Sequence, residues 1–219
     1  MLSDLLQSRY SCRGYTSQSV DKQLLEDIFS SAQLSASNCN IQPWQVLVVS
    51  GEKKEQLKKQ LVEAVIKQQV PNPDFNWSVA YQGIHRQRQF GSANALYGAM
   101  DIAREDKQKR QMAMLRNWQF FDAPHVAIFT LDKYLDIMGA VDMGIYAQTL
   151  SLLLHEQGIA SCMQGAIGQF PEPIHTMFDI PEQRGVLFGM SFGYADNNVD
   201  ANKARTERES LSEAVQFFE

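Results

Sequence analysis

The sequence predicts an α+β fold in which helices pack on a mixed, mostly antiparallel sheet. Two stretches, residues 21–36 and 52–67, repeat apolar side chains at the spacing of an amphipathic helix. Three short apolar runs, residues 45–49, 126–130 and 186–192, have the length and composition of buried strands. We therefore expect one sheet whose strands are scattered along the chain and covered by helices.

The first two predicted helices each bury one face. The first begins at Asp21, whose short carboxyl side chain suits the N-cap position. The second places Leu57, Leu61 and Val65 on one side and its charged residues elsewhere. The apolar face of the first helix is predicted core and consists of Leu24, Leu25, Ile28, Phe29 and Ala32.

Two later helices differ from these. The helix over about residues 140–157 is apolar around so much of its circumference that we expect burial nearly all round, either within one subunit or between two. Another helix is predicted over residues 99–118, in an aromatic and basic segment that follows residues 69–74. We expect residues 71–124 to be an excursion from a single domain that spans residues 1–219.

Composition restricts the class of protein. A chain of 219 residues, 44% of them hydrophobic, is long enough to fill one sizeable core. Its formal net charge of −5 argues against a protein that coats nucleic acid. Residues 1–7 are too short and too polar for a secretory signal, and no apolar run approaches the roughly 20 residues of a membrane span. We expect a soluble, cytoplasmic protein with no membrane partner.

The cysteine content points to neither crosslinks nor metal. Cys12, Cys39 and Cys162 are odd in number, widely separated and without the spacing of metal ligands. Such a set suggests neither a disulfide framework nor a zinc site. We expect free, reduced thiols and no bound metal.

A polar loop at residues 36–44 joins the first predicted helix to the first predicted strand. Ser37, Asn38 and Asn40 bring hydrogen-bond donors and acceptors on short side chains, with no charged residue among them. Such groups suit a flat heterocycle that carries carbonyls and ring nitrogens. Serine and asparagine are also common wherever a chain reverses, so ordinary turn chemistry is the alternative.

Two basic clusters stand near the two ends of the chain. Arg9, Arg205 and Arg208 offer guanidinium groups, which bind phosphate oxygens through paired hydrogen bonds. Ser11 adds a neutral hydroxyl donor. Together these four side chains would hold a phosphate monoester, although a basic cluster by itself is usually a solvated face.

These clusters and the polar loop follow the order of one known family. Arg9, Ser11 and Arg13 match an opening pattern Arg-x-Ser-x-Arg, and residues 37–44 match Ser-x-x-Asn-x-Gln-Pro-Trp. Residues 193–208 begin with Gly-Tyr-Ala-Asp and end with Arg-Thr-x-Arg. On these motifs the chain resembles the FMN-dependent nitroreductase family.

Two further segments extend the resemblance over nearly the whole chain. Residues 158–166 are similar to the family segment whose backbone faces the flavin edge, and residues 117–124 are similar to Asn-Phe-x-Phe-Phe-Gly-Ala-Pro. There are two departures. Ala36 stands where proline is usual, and Asp122 replaces a glycine, which we expect to alter the turn before the next strand.

The resemblance implies an intertwined homodimer with FMN at the subunit interface. Residues 140–157 would be shared by the subunits, and the tail, residues 211–218, would reach over the partner. Arg13 would lie near flavin N1 and O2, the backbone N–H of Gln164 would point at N5, and Gly165 would let the main chain approach the ring. The implied FMN-binding residues are Arg9, Tyr10, Ser11, Arg13, Ser37, Asn38, Asn40, Gln164, Gly165, Arg205 and Arg208.

The resemblance also implies a reaction. NADH or NADPH would deliver hydride to the flavin and leave, and a nitroaromatic, a quinone or a related conjugated acceptor would take its place in a ping-pong cycle. No side chain need act as acid or base, and the sequence has no Rossmann fingerprint or P-loop. The histidines lie outside the matched motifs and are expected to be structural or on the surface: His85, His125, His155 and His175.

Two alternatives stay open at this point. A flavin enzyme of the same fold can catalyse another reaction, such as reductive dehalogenation or flavin destruction, and a non-catalytic FMN-binding module is the other class. The excursion decides the substrate, and the sequence names none. Nor does the sequence choose between NADH and NADPH, because Arg86, Arg88 and Arg104 suit either a phosphate contact or ordinary surface.

Overall fold

Helices and strands alternate irregularly along residues 1–76 and 79–219, which are the residues that the computed structural model describes. The α-helices are α1 (Leu2–Ser8), α2 (Lys22–Ala32), α3 (Gly51–Ile66), α4 (Gly83–Ala99), α5 (Lys107–Leu115), α6 (Asp136–Glu156), α7 (Glu172–Phe178) and α8 (Leu211–Ala214). The strands are β1 (Gln45–Ser50), β2 (His125–Asp132), β3 (Ala160–Gln164) and β4 (Arg184–Gly193). The three predicted strands are confirmed, each slightly longer than expected.

The strands form one sheet in the order β1-β2-β4-β3. Every pair of neighbouring strands is antiparallel, with Val48 opposite Ala127 and Ile128 opposite Gly189. A single parallel bridge joins Ser11 to Ser161 at the outer side of β3. The predicted α+β fold with a mostly antiparallel sheet is confirmed.

Helices cover both faces of this sheet. Side chains of β2 point alternately to opposite sides, so Phe129 and Leu131 pack against α2 and α6, whereas Val126 and Ile128 pack against α3 and α7. Because both faces are covered, seven of the eight residues of β2 are buried. This double burial explains why the strand reads as a continuous apolar run rather than an alternating one.

The first helix is shorter than predicted. Asp21 is the N-cap as expected, and its carboxyl group accepts the Leu24 N–H at 3.1 Å. The helix ends at Ala32 rather than residue 36, because the N–H groups of residues 33–35 bond to carbonyls three residues earlier and form a tighter turn. The polar loop therefore starts closer to the helix end than the apolar pattern suggested.

The predicted helix over residues 99–118 is confirmed only for residues 107–115, and its start and end are wrong. The structure ends α4 at Ala99 and begins α5 after Asp106. Asp101 has a left-handed φ of +50°, which breaks helical geometry, and the Asp106 carboxyl group caps α5 by accepting the Lys109 N–H at 2.9 Å. Since α4 buries none of its described side chains, it carries no apolar periodicity by which sequence analysis can find it.

Burial of α6 within one chain is one-sided, so the alternative of burial inside a single subunit is wrong, and burial between two subunits stays a prediction. Its inner face packs in the core, whereas Ile137, Val141 and Ile145 on its outer side are 72%, 52% and 41% exposed. The segment Lys133–Glu156 is, by length and composition, capable of crossing a membrane, contrary to the expectation that no run is long enough. In the structure 44% of its most apolar stretch is buried, and the buried face packs in the core.

Candidate functional site

A cavity of about 320 Å³ brings together the two basic clusters from the ends of the chain. Arg9, Arg13, Arg205 and Arg208 are among the residues that line it. The other described residues that line it include no carboxylate and are Leu6, Gln7, Tyr10, Ser11, Ser92, Leu96, Ala204 and Thr206. Four cations without an acidic neighbour in the lining make this cavity, called the arginine cavity below, suited to a phosphate group.

Asn202 joins the two ends of the chain beside this cavity. Its buried side chain accepts the Arg13 N–H at 2.6 Å and donates to the carbonyl oxygens of Gly14 and Asp196 at 2.8 and 2.9 Å. Sequence analysis gave Asn202 no role. Two of its partners, Arg13 and Gly14, lie almost the whole chain away, so local pattern carried no signal for these contacts.

The arginines are held in place by backbone carbonyls. Arg205 lies 4.0 Å above the ring of Tyr10 and donates to the carbonyl oxygens of Asn202 and Ala204, both at 2.8 Å. Arg208 donates to the Thr206 hydroxyl at 2.9 Å. Anionic phosphate oxygens are stronger acceptors than these neutral groups. A phosphate in the cavity would therefore compete well for the guanidinium donors.

Burial raises the pKa of Tyr10, and the negative charge that Cys12 would carry acts in the same direction, against the lowering effect of Arg205. The Tyr10 hydroxyl therefore stays protonated around neutral pH. A protonated phenol at this position is able to donate a hydrogen bond to an anion.

The end of β3 lies beside the arginine cavity. Ser11 forms the parallel bridge to Ser161, and the Cys12 N–H donates to the Ser161 carbonyl at 3.1 Å. Further along β3, the buried side chain of Gln164 donates to the Asn117 carbonyl at 2.7 Å and accepts a short hydrogen bond from the Ser191 hydroxyl. The side chain of Gln164 is thus used inside the protein, and its backbone lies opposite Gly189 in the sheet.

The loop of residues 37–42, called the amide loop below, is built on α6. The Asn38 N–H donates to Asp142 Oδ1 at 3.0 Å, and the Ser37 hydroxyl accepts the Gln42 N–H at 3.0 Å. The Ser37 oxygen therefore bonds within the loop itself, as the alternative of ordinary turn chemistry predicted. The side chains of Asn38 and Asn40 are exposed, as a ligand contact requires.

Within one chain, the predicted FMN residues form two separate groups. The arginine cavity and the end of β3 adjoin through the Ser11–Ser161 bridge. No residue of the amide loop is among the described residues that line the arginine cavity, and this loop is attached to α6 instead. A ligand that touches both groups would have to span them or bind between two copies of the chain.

Asp122, the substitution for glycine, lies close to the arginine cavity. Its φ of +64° is left-handed, a conformation that glycine adopts freely and aspartate tolerates. Its carboxylate pairs with Arg116 at 3.1 Å, and Arg116 also donates weakly to the Arg13 carbonyl at 3.5 Å. The turn before β2 is therefore kept despite the substitution, with a new ion pair.

A wider cavity of about 880 Å³ continues from the arginine cavity between α4 and residues 205–209. The two cavities share Ser92 and Arg208, among others, and Arg88 in the wider one pairs with Glu209 at 3.0 Å. Of the three arginines proposed as dinucleotide contacts, only Arg88 is among the described residues that line either cavity. Sequence analysis missed the contribution of α4 because it did not predict this helix.

The cysteines are free in the structure. Burial raises the pKa of Cys162 to about 11 and also raises that of Cys12. Both thiols therefore stay protonated near neutral pH and are poor nucleophiles. Cys39 is exposed on the amide loop.

Three of the histidines have clear structural partners. His125 accepts the Val20 N–H at 3.0 Å, and burial lowers its pKa. His155 and His175 lie 2.7 Å from the Ser8 hydroxyl and from Asp74 respectively. No histidine is among the described residues that line the arginine cavity.

Comparison with known proteins agrees with this geometry. The model of a family described as the nitroreductase family matches residues 6–194. The chain belongs to the nitroreductase family. The family predicted from the motifs is therefore confirmed, and the fold that goes with it is the one described above.

Similar nitroreductases include proteins of known activity. The chain is 35% identical to the nitroreductase NfnB of Mycolicibacterium smegmatis, over 97% of this chain and 91% of that protein. It is 30% identical to a nitrobenzene nitroreductase of Ectopseudomonas oleovorans, over 99% and 96% of the two chains. The crystal structure of FMN-dependent NfnB from Mycobacterium smegmatis in complex with NADPH has a TM-score of 0.94 at 34% identity, covering 99% of this chain and 97% of that one.

Proposed function

We propose that this nitroreductase is an FMN-dependent oxidoreductase that uses NADPH or NADH to reduce nitroaromatics, quinones or related conjugated acceptors by a ping-pong mechanism. The observation that carries the proposal is the arginine cavity, where four arginines from both chain ends line one space that has no carboxylate among its described lining residues. The relatives agree, since one is an FMN-dependent nitroreductase in complex with NADPH and another a nitrobenzene nitroreductase. The predicted enzyme class and cofactors are thereby confirmed.

The residues present fit FMN. Its phosphate would replace the backbone carbonyls that now accept from Arg205 and Arg208, with Arg9, Tyr10 and Ser11 as further donors. When bound, FMN supplies a ring that accepts hydride from a nicotinamide and passes electrons to an acceptor. Asn38 and Asn40 are proposed for the polar groups of that ring.

The protein itself is proposed to place a positive charge and a backbone segment beside the ring. Arg13, whose backbone is fixed by Asn202, is proposed to place a cation where the reduced ring gains negative charge. The backbone of Gln164 and Gly165 is proposed to face the ring, because the Gln164 side chain is already bonded to Asn117 and Ser191. No side chain in this scheme takes or gives a proton.

We further propose that the active form is an intertwined homodimer with FMN at the subunit interface. The exposed apolar residues Ile137, Val141 and Ile145 on α6 are the surface that a second copy would cover. A dimer would also let the amide loop of one subunit complete the arginine cavity of the other. The exposed Phe217 and Phe218 at the end of the tail would then reach over the partner.

The same reasoning supports the remaining predictions about organisation. We propose one domain over residues 1–219, with the excursion at residues 71–124 shaping the acceptor pocket, and residues 77 and 78 of it lie outside the described part. Free thiols and the core packing of α6 support a soluble, cytoplasmic protein that binds no membrane, and the formal net charge of −5 supports one that binds no nucleic acid.

Substitution of the cavity arginines tests this proposal. Arg9→Ala or Arg208→Ala should raise the Kd for FMN by about tenfold or more, because each removes charge-assisted hydrogen bonds to the phosphate. Fluorescence titration of apoprotein with FMN measures the effect. Arg110→Ala is the matched control, since Arg110 stacks on Tyr97 outside the arginine cavity. Full FMN affinity in both cavity variants would contradict the phosphate assignment.

A further inference from the structure

The amide loop has a backbone that does not hold its shape unaided. Cys39, Asn40 and Gln42 have φ values of +50°, +58° and +45°, in the left-handed region that residues other than glycine seldom adopt. Each such residue costs free energy, so the loop keeps this conformation only where its surroundings fix it. The contacts that fix it therefore also fix where Asn38 and Asn40 point.

Two residues of α6, one turn apart, supply these contacts. Asp142 Oδ1 accepts the Asn38 N–H at 3.0 Å. Four residues later, Tyr146 stacks on Trp44 with ring centroids 4.8 Å apart. Residues four apart lie on the same face of a helix, so α6 holds the amide loop near its start and just beyond its end.

The contact made by Asp142 is unfavourable for stability. Its side chain belongs to a residue that is only 2% exposed, and its second oxygen, Oδ2, has no hydrogen-bond partner among the described residues. A buried carboxyl group with half of its acceptors unused lowers stability rather than raising it. Its presence needs another reason, and its sole polar partner in the described structure is the backbone of a predicted ring contact.

We propose that Asp142 is a positioning residue that sets the amide loop for the flavin ring. This inference rests on the proposed function, because it takes the loop to be part of the FMN site. Asp142 does not touch the cofactor. It acts through the Asn38 backbone, and it links the ring contact to the helix that carries the proposed dimer surface.

Two substitutions separate positioning from simple packing. In Asp142→Asn, the amide oxygen still accepts the Asn38 N–H. The amide NH₂ takes the place of Oδ2, and no described hydrogen-bond donor faces that position to clash with its hydrogens. In Asp142→Ala, both the hydrogen bond and the carboxyl group are lost. Asp27→Ala, an exposed aspartate on α2, is the control.

The measurements are the Kd for FMN, hydrogen exchange of residues 37–42 in apoprotein, and the apoprotein Tm. We expect Asp142→Ala to raise the Kd about tenfold and to speed exchange in the amide loop, while Asp142→Asn stays within about threefold of wild type on the Kd. The Tm of Asp142→Ala should not fall along with its FMN affinity, because the substitution removes a buried carboxyl group whose Oδ2 has no partner among the described residues.

Three results would overturn the inference. Asp142→Ala could bind FMN as wild type does, which would leave the proposed function intact. Equal loss of affinity in Asp142→Asn and Asp142→Ala, in step with Tm, would assign Asp142 to packing alone. Failure of the wild-type protein itself to bind FMN would reject both the inference and the proposed function.

Discussion

The arginine cavity and the amide loop are two halves of one predicted site, yet the chain builds them differently. The cavity is closed within a single chain, since Asn202 ties residues 13 and 14 to the segment before Arg205. The amide loop stands apart on α6, whose outer apolar side chains are exposed. One half is thus complete within a single chain, and the other meets a second subunit only in the proposed dimer. The difference predicts that the two halves respond differently to substitution.

The largest effect is expected from breaking the proposed dimer surface. The double change Val141→Glu and Ile145→Glu places two charges on the exposed apolar side of α6, where burial against a partner would be costly. We expect a monomer that retains its fold and loses FMN affinity by about tenfold or more, because the amide loop no longer meets the other subunit's cavity.

Light scattering on the eluting protein gives its mass, and FMN titration gives its affinity. Ile66→Glu, at an exposed position on α3, should leave both unchanged. A double variant that is monomeric and still binds FMN with full affinity would show that one chain forms the whole FMN site. The amide loop would then not need a second subunit.

A smaller but more local effect is expected from Asn202→Ala. Loss of this side chain leaves the Arg13 N–H and the Gly14 carbonyl without their partner, which should lower the free energy of unfolding by about 3 kcal/mol. FMN affinity should fall as well, while the dimer persists, because this change touches only the arginine cavity. Urea unfolding measures stability, and Asn198→Ala, an exposed asparagine on the same segment, is the control. Unchanged stability would mean that the chain ends are held by other contacts.

The smallest effect is expected at the base of the excursion, away from both halves. Burial acts to raise the pKa of Asp74, but hydrogen bonds from His175, the Val186 N–H and Lys133 outweigh it and hold the pKa below its usual value. A lowered pKa contributes stability above the unfolded value, and this contribution is lost as the pH falls through the folded value.

Asp74→Asn should therefore lower the free energy of unfolding by about 2 kcal/mol at pH 7, and the difference from wild type should shrink below about pH 4. Unfolding curves at a series of pH values measure this, with FMN affinity expected to be unchanged at pH 7. A difference that stays constant down to acid pH would contradict the ionic role of Asp74.

The sequence was sufficient for three of the four strands in the described sheet and for the types of side chain at the site. Apolar runs identified β1, β2 and β4, because buried strands must be apolar wherever both faces are covered. The basic clusters identified the arginine cavity, since guanidinium groups are the usual ligands of phosphate. Both depend on residue chemistry that is visible locally.

What sequence analysis missed depends on distant contacts. Asn202 is an ordinary polar residue until its partners near the other end of the chain are known. Helix α4 buries no described side chain, so it has no periodic pattern, and the one-sided burial of α6 depends on whether a second copy covers its outer side. Asp142 gave no signal either, because a single aspartate in an apolar helix has no motif of its own.

The central claim is that this nitroreductase binds FMN and cycles it between a reduced nicotinamide and an acceptor. The most direct measurement is the visible spectrum of the purified protein, recorded without oxygen before and after addition of NADPH and then of a nitroaromatic compound. We expect a yellow protein that bleaches with NADPH and regains its colour with the acceptor. A colourless protein that takes up no added FMN, or a yellow protein that neither donor bleaches, would contradict the claim.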